Sequence, residues 1–322
     1  MAMSVLSPST IREAQALLSR YLPVTRLVPA RSLSRLTGKN VSLKLESDLP
    51  TGSFKPRGAL YALTANLARR EIREVIASST GNHGAAVAYA ARVLGVQARI
   101  FLPANPNPVK RTKIEELGAK IAEAGGADLT DAFQKACEYS KNAGIYFLND
   151  ATDPDLPAGP ATIACEILDQ QPATEVIYVP MGDTALIRGV AAAAKQRSPN
   201  IRIIGVQAER APAYYLSWKQ GKAVSTETCD TIADGLATRT PETENVNQIR
   251  ELVDDVRLVS EKEMLAAIRD LLFEEHMVAE PAGAAATAAL MQSKDSARNV
   301  VALVTGSNVA PDVLRTAACH KF

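Results

Sequence analysis

The stretch "SDLPTGSFKPRGAL", residues 47–60, places Lys55 between a glycine-serine-phenylalanine turn and a proline, where an apolar strand-like run hands over to a helical one. An ammonium group in such a turn has few uses. On a surface loop it is simply solvated. Buried, its pKa falls, and the free amine becomes a nucleophile, a base and the group that forms a Schiff base with an aldehyde cofactor. The choice depends on what the rest of the chain brings to the same place.

Working outward, short β-branched runs ("VSLKLE", "EVIAS", "QARIFL", "EVIYVP", "IRIIGV", "VVALVTG") alternate with longer Ala-rich segments of helical periodicity. This βαβ pattern predicts an α/β fold of parallel sheets covered by helices on both faces, with binding residues at the carboxyl ends of the strands. The Pro-, Asp- and Gly-rich stretch "NDATDPDLPAGPAT", residues 149–162, is the clearest break and reads as a domain crossing. A second irregular stretch, residues 225–248, is too long for a simple connector and reads as a functional loop.

With 322 residues, 47% of them hydrophobic, the chain has enough material for a large core and for two domains. A formal net charge of +1 gives no broad attraction to nucleic acid or to an anionic membrane, so the expected partner is a small molecule. No secretory leader pattern and no stretch of transmembrane length is seen, and cytoplasmic placement is the expectation. Cys137, Cys165, Cys229 and Cys319 are scattered without a C-x-x-C pair, which fits a reducing compartment and neither metal nor disulfide work.

Nucleotide-binding and zinc-protease motifs are absent, and neither His276 nor His320 has a ligand-spaced partner. His83 differs. In "ASSTGNHGAAVAYAA" an apolar run ends in small hydroxyl and amide residues, and an Ala-rich helix starts at once. Unsatisfied N–H groups at such a start bind anions; Ser79, Thr80 and Asn82 add side-chain donors, so a carboxylate would fit, as would an ordinary helix cap. The segment "EVIYVPMGDTALIRGVAAAAK" offers a second cradle at Gly182, Thr184 and Ala185, suited to phosphate. A third turn after "VVALV" carries Thr305, Gly306, Ser307 and Asn308. A phosphate cradle, a lysine and a partner for a ring nitrogen are together what pyridoxal phosphate requires.

On these segments the chain resembles the fold-type II pyridoxal-phosphate enzymes, specifically the serine/threonine dehydratase (ammonia-lyase) and serine racemase group, over nearly its whole length. "GSFKPRGAL" resembles the Schiff-base segment, which implies Lys55 as the cofactor lysine with Phe54 beside the ring. "SSTGNHG" resembles the substrate-carboxylate loop, which implies Ser79, Thr80, Asn82 and His83 around the substrate, with Asn82 also reaching the cofactor's phenolic oxygen. "IADGL" and "AEPAGAA" follow in the family's order, the former adding Gly235 to the substrate side. The phosphate loop departs from the family's run of glycines: "GDTAL" puts Asp183, Thr184 and Ala185 after Gly182 and before Leu186, so Asp183 must point away or meet a cation. At the ring nitrogen Thr305 keeps the hydroxyl that the group usually takes from serine.

The resemblance further implies a tryptophan synthase β-subunit-like architecture of two domains with twisted, parallel-rich sheets. Residues 1–50 and 151–322 would form the large cofactor-binding domain, and 51–150 a small mobile one that closes on the substrate carboxylate. The implied reaction is α,β-elimination from a β-hydroxy amino acid such as L-threonine or L-serine, giving the 2-oxo acid and ammonia. Lys55 would take the Cα proton. Dehydration of 3-hydroxyaspartate or another β-hydroxy amino acid stays open, as does racemisation, for which Thr80 would serve as the opposite-face group. An amino-acid-binding protein without turnover is the non-enzyme alternative. Family members are commonly dimers or tetramers, so a homo-oligomer is one open outcome. The chain length leaves no room for the regulatory domain of biosynthetic threonine dehydratases, which implies an unregulated, catabolic form.

Relatives that bind a divalent cation near the phosphate loop use a carboxylate after a strand, a carbonyl four residues on and a second carboxylate two beyond. Here Glu209 and the Ala213 carbonyl are present, but Tyr215 stands at the second acid. A phenol, protonated near neutral pH, is a poor ligand for a hard cation. The expectation is no metal. Activity and thermal stability should therefore be unchanged by EDTA or added Mg²⁺; a loss on chelation restored by millimolar Mg²⁺ would make Glu209 and Asp183 the first ligands to test.

Overall fold

The computed structural model describes residues 6–79, 81–104, 108–124 and 129–319, and these form an α/β structure with ten strands in two sheets. The strands are β1 (Leu27–Pro29), β2 (Asn40–Leu45), β3 (Glu74–Ser78), β4 (Gln97–Leu102), β5 (Lys120–Glu123), β6 (Ile145–Phe147), β7 (Val176–Pro180), β8 (Arg202–Ala208), β9 (Asp255–Val259) and β10 (Asn299–Val304). The larger sheet has the order β1-β2-β10-β7-β8-β9, parallel except for the antiparallel edge pair β1–β2. The smaller sheet, β5-β4-β3-β6, is parallel throughout.

The strands read as continuous apolar runs because both faces of each sheet are covered. In β10, Val300, Ala302 and Val304 pack toward the alanines of the helix Pro281–Met291. Val301 and Leu303, on the other face, join Ile163, Ile187 and Val190 of the helices Ala158–Gln170 and Ala185–Arg197. Every residue from Pro281 to Leu290 is buried, which a helix of small side chains can do between a sheet and the helix Glu261–Phe273. Around the smaller sheet, Val75, Ala77 and Ile100 pack with Leu60 and Leu63 of the helix Lys55–Arg69 and with the helix Asn82–Leu94. Leu18 and Leu22, which precede β1 in the chain, belong to this same cluster.

The turns that matter all leave the carboxyl ends of strands. After β2 the chain makes a short 3-10 turn, Glu46–Asp48, and reaches Lys55 at the first position of its helix. That approach is bound to the turn after β10: Phe54 N–H donates to the Thr305 carbonyl at 3.0 Å, and Ser307 N–H to that of Gly52 at 2.9 Å.

Two residues past Lys55, Arg57 is buried and its guanidinium forks between two carboxylates. It donates to Glu46 at 2.7 and 3.0 Å and to Glu166 of the helix Ala158–Gln170 at 2.6 and 2.9 Å. Lys44, fully buried in β2, donates to Glu166 at 2.6 Å and to the Thr25 carbonyl at 2.8 Å. Two bases and two acids balance, and nearly every polar atom is satisfied. Removing one member strands the others in a dry place. Arg57→Met should therefore cost about 3–5 kcal/mol, the usual penalty for breaking a buried pair, read as a large drop in the urea midpoint of the cofactor-free protein. A midpoint within error of the parent would remove the cluster from the list of stabilising interactions.

Candidate active site

Lys55 Nζ donates to Asp150 and lies 5.3 Å from the centre of the Phe54 ring, with 18% of its side chain exposed. The amine is thus partly exposed, between a carboxylate and an aromatic face. Asp150 comes from the turn that follows β6. Its other oxygen, Oδ1, has no hydrogen-bond partner and faces His83 Nδ1, likewise without one, at 3.6 Å. His83 Nε2 lies 2.9 Å from the Leu148 carbonyl, an acceptor, which requires the proton on Nε2. Burial holds the His83 imidazole below its ordinary pKa. Burial pushes Asp150 up, but the Lys55 ammonium and then His83 outweigh it and leave the carboxyl below the ordinary range.

Asn82, the first residue of its helix, donates from Nδ2 to Glu280 at 2.6 Å and accepts at Oδ1 from Asn308 at 2.6 Å. Asn308 belongs to the turn that begins at Thr305, so the loops after β3 and β10 meet here. Lys113, on the helix Pro108–Glu116, donates to Asn308 at 2.5 Å and to the Thr51 carbonyl at 2.9 Å. Thr305 is buried, with its carbonyl on Phe54. Ser79 is half-buried and its hydroxyl accepts from Gly81 N–H at 3.2 Å. Thr80 lies outside the described residues.

The loop after β7 closes the other side. A Cβ on Gly182 would run into the carbonyl of Gly235, so only glycine lets these two segments touch. Gly235 lies in the 3-10 turn Asp234–Leu236 and is brought against Gly182. Thr184 caps the helix Ala185–Arg197 with a left-handed φ of 70°, and Ala185 and Leu186 form its buried first turn. Asp183 accepts from Thr238 Oγ1 at 3.0 Å. Burial, and then the nearby Asp150 carboxylate, push its pKa up to about 6. Arg188, one turn along the helix and buried, donates from Nε to Thr184 Oγ1 at 3.1 Å and from Nη1 to Gln248 at 3.2 Å, while its Nη2 is buried without a partner.

These groups fit pyridoxal phosphate. A helix start, a threonine hydroxyl and a buried guanidinium with a spare donor suit a phosphate dianion. An accessible amine suits the aldehyde. The sequence reading named Lys55, Phe54, Asn82, His83 and Thr305, which the fold gathers, along with the loop from Gly182 to Leu186. Asp150, Arg188 and Glu280 are brought to the same place without having been singled out in the sequence, and Asn308 of the third turn meets Asn82. At the expected cation position Glu209 is exposed, and Arg210 pairs with Asp230 instead of Glu209. Among the described residues no group of three or more His, Cys, Asp or Glu side chains could hold a metal ion.

Comparison with known proteins agrees with this geometry. A family model described as "Pyridoxal-phosphate dependent enzyme" matches residues 18–306. The chain is 36% identical over 301 residues to the L-threonine ammonia-lyase of Thermotoga maritima, covering 93% of this chain and 75% of that protein. It is 34% identical to a catabolic L-threonine dehydratase of Staphylococcus aureus, covering 95% and 90%. Among solved structures, maize serine racemase superposes with a TM-score of 0.91 at 29% identity, covering 98% of this chain and 97% of that one.

The Asp183 carboxyl gives a pH-dependent test. Its folded pKa is raised, so its contribution to stability is present below the unfolded value near 4 and is lost as pH rises through about 6. Asp183→Asn removes the penalty of the charged form. The cofactor-free variant should melt above the parent at about pH 8, with the difference fading toward about pH 4, and should bind pyridoxal 5'-phosphate more tightly at the higher pH. A variant less stable than the parent at about pH 8 would show that Asp183 is needed as a carboxylate.

Proposed function

We propose, because this chain belongs to the pyridoxal-phosphate dependent enzyme family and uses that cofactor, that it is an ammonia-lyase converting a β-hydroxy amino acid, L-threonine or L-serine, to the 2-oxo acid and ammonia. The observation that carries the reading is the position of Lys55. Its amine stands near the turns after β2, β3, β7 and β10, beside the loop after β6. The names of the relatives support the substrate class.

Bound there, the cofactor supplies an electron sink for the bond to Cα. The chain's own groups do the rest. Lys55 anchors the aldehyde and then moves the Cα proton. Ser79, Thr80 and the N–H groups that open the helix Asn82–Leu94 receive the substrate carboxylate, with Asn82 held by Glu280 and Asn308. Gly182 to Leu186 and Arg188 receive the phosphate. Thr305 would offer the ring nitrogen a hydroxyl, which, unlike a carboxylate, would not enforce protonation there and would suit elimination. Residues 51–150 close over the substrate as a unit, with residues 1–50 and 151–322 carrying the cofactor. No helix among the described residues is long and apolar enough to cross a membrane; the cytoplasm and a homo-oligomer complete the reading.

Incubation with L-threonine, L-serine and 3-hydroxyaspartate, following 2-oxo acid and ammonia, tests it directly. Lys55→Ala should abolish product formation, by at least about a thousandfold, together with the visible absorbance of the bound cofactor. Near-parental turnover in that variant would remove Lys55 from the mechanism, and inertness toward both threonine and serine would refute the substrate assignment.

A further inference from the structure

The pairing of His83 with Asp150 is incomplete. With its proton committed to the Leu148 carbonyl, His83 presents a bare lone pair at Nδ1, and the atom opposite is a carboxylate oxygen. Two acceptors 3.6 Å apart repel, and neither has another partner. His83 is only 5% exposed. Leaving such groups unpaired is costly, and a ligand that brings a donor removes the cost.

The arrangement is built, not accidental. The Asn245 amide, buried on the helix Thr243–Leu252, donates to the Ala151 carbonyl at 2.9 Å and lies 3.3 Å from the Asp183 carbonyl, so it locks the Asp150 turn to the phosphate loop. Asp153 N–H closes the same turn on the Asn149 carbonyl at 3.1 Å. Asp150 is in contact with the amine that must reach Cα of a bound amino acid, so it lies within reach of the substituent on Cβ. Once the Lys55 nitrogen is engaged by the cofactor's aldehyde carbon, it no longer offers three N–H donors, and Asp150 is left needing one.

We propose that Asp150 and His83 form the substrate side-chain subsite, which takes a β-substituent carrying a hydrogen-bond donor and rejects a β-carboxylate. This rests on the reading of the chain as an amino-acid lyase and narrows it. The single O–H of a hydroxyl-bearing substrate such as threonine or serine supplies one of the two acceptors, the Asp150 carboxylate first because it carries the charge. A 3-hydroxyaspartate side chain would add a second anion beside Asp150. Burial pushes the Asp150 carboxyl up, but the Lys55 ammonium beside it outweighs burial and keeps it below its ordinary range, so it acts by binding and not as a proton donor to the leaving group.

The test uses binding alone, on the cofactor-loaded enzyme, followed by the change in cofactor absorbance on titration with L-alanine, L-asparagine and L-aspartate. Asparagine and aspartate have the same shape, and only the first carries a donor. The parent should bind asparagine at least about tenfold more tightly than aspartate, a difference of about 1.4 kcal/mol. In Asp150→Asn the ratio of asparagine to aspartate affinity should fall to within about twofold, through tighter aspartate binding measured relative to alanine in the same variant. Equal affinity for asparagine and aspartate in the parent overturns the subsite, as does a variant that shifts all three ligands alike. The parent comparison decides the matter if the variant fails to fold. Absence of any spectral response to alanine refutes the underlying amino-acid site instead, so the two failures are distinct.

Discussion

The grip of Arg57 on Glu46 and Glu166 is the constraint on which the site depends. Glu46 follows β2 of the larger sheet, Glu166 lies on a helix covering that sheet, and Arg57 sits in the first turn of a helix that packs against the smaller sheet. One guanidinium thus ties three elements at a single buried point. Lys55 is two residues away, and its backbone is fixed from the other side by the bond from Phe54 N–H to the Thr305 carbonyl. A flexible side chain placed on a rigid turn keeps its reach while losing little of its aim. Gly159 contributes to the same junction, since a Cβ there would strike the backbone carbonyl of Arg57, and the two helices meet only because it has none.

The electrostatics of the site follow from what each buried charge can find. Asp150 has Lys55. Asp183 has a threonine hydroxyl and no cation in hydrogen-bonding contact among the described residues, and its pKa rises accordingly to about 6. Arg188 is buried with neutral partners only, and burial lowers its pKa. A cation and an acid held close but not paired form a site that is poorly satisfied alone. Burial and the nearby Asp150 carboxylate account for the preference of Asp183 for its protonated form, and a phosphate dianion at the helix start would relieve the guanidinium while adding to that preference.

The fold was legible because parallel strands covered on both faces must be apolar throughout, and runs such as "EVIYVP" and "VVALV" admit little else. Thr305 follows directly on such a run, and Asn82 and Lys55 come four and ten residues after theirs, in the turns where the fold class puts ligands. Asp150 was hidden because "NDATDPDLPAGPAT" reads as punctuation, and Pro, Asp and Gly serve as turn formers far more often than as site residues. Glu280 lay inside a matched segment, but its partner Asn82 is 198 residues away, a relation that local pattern does not carry. Arg188 reads as one polar position in an Ala-rich helix. Its burial is imposed by the packing of the helix Thr243–Leu252 over it, which only the tertiary structure reveals.

The loss of glycine from the phosphate loop shows how the departures compensate one another. Thr184 has a left-handed φ of 70°, a conformation that costs a β-branched residue about 1–2 kcal/mol and that glycine would adopt freely. A chain that carries such strain needs something to hold it. Here the Thr184 hydroxyl accepts from Arg188 Nε at 3.1 Å, so the residue that strains the loop also orients the guanidinium that faces it. Glycines would give backbone donors and no charge. Threonine with arginine one turn later gives a strained backbone, a hydroxyl and a buried cation, and that cation offsets part of the repulsion Asp183 introduces at the same loop. Asp183 and Thr184, which look unfavourable one at a time, are therefore consistent with the fold once Arg188 is included, because the arginine holds the strained threonine and brings positive charge near the acid.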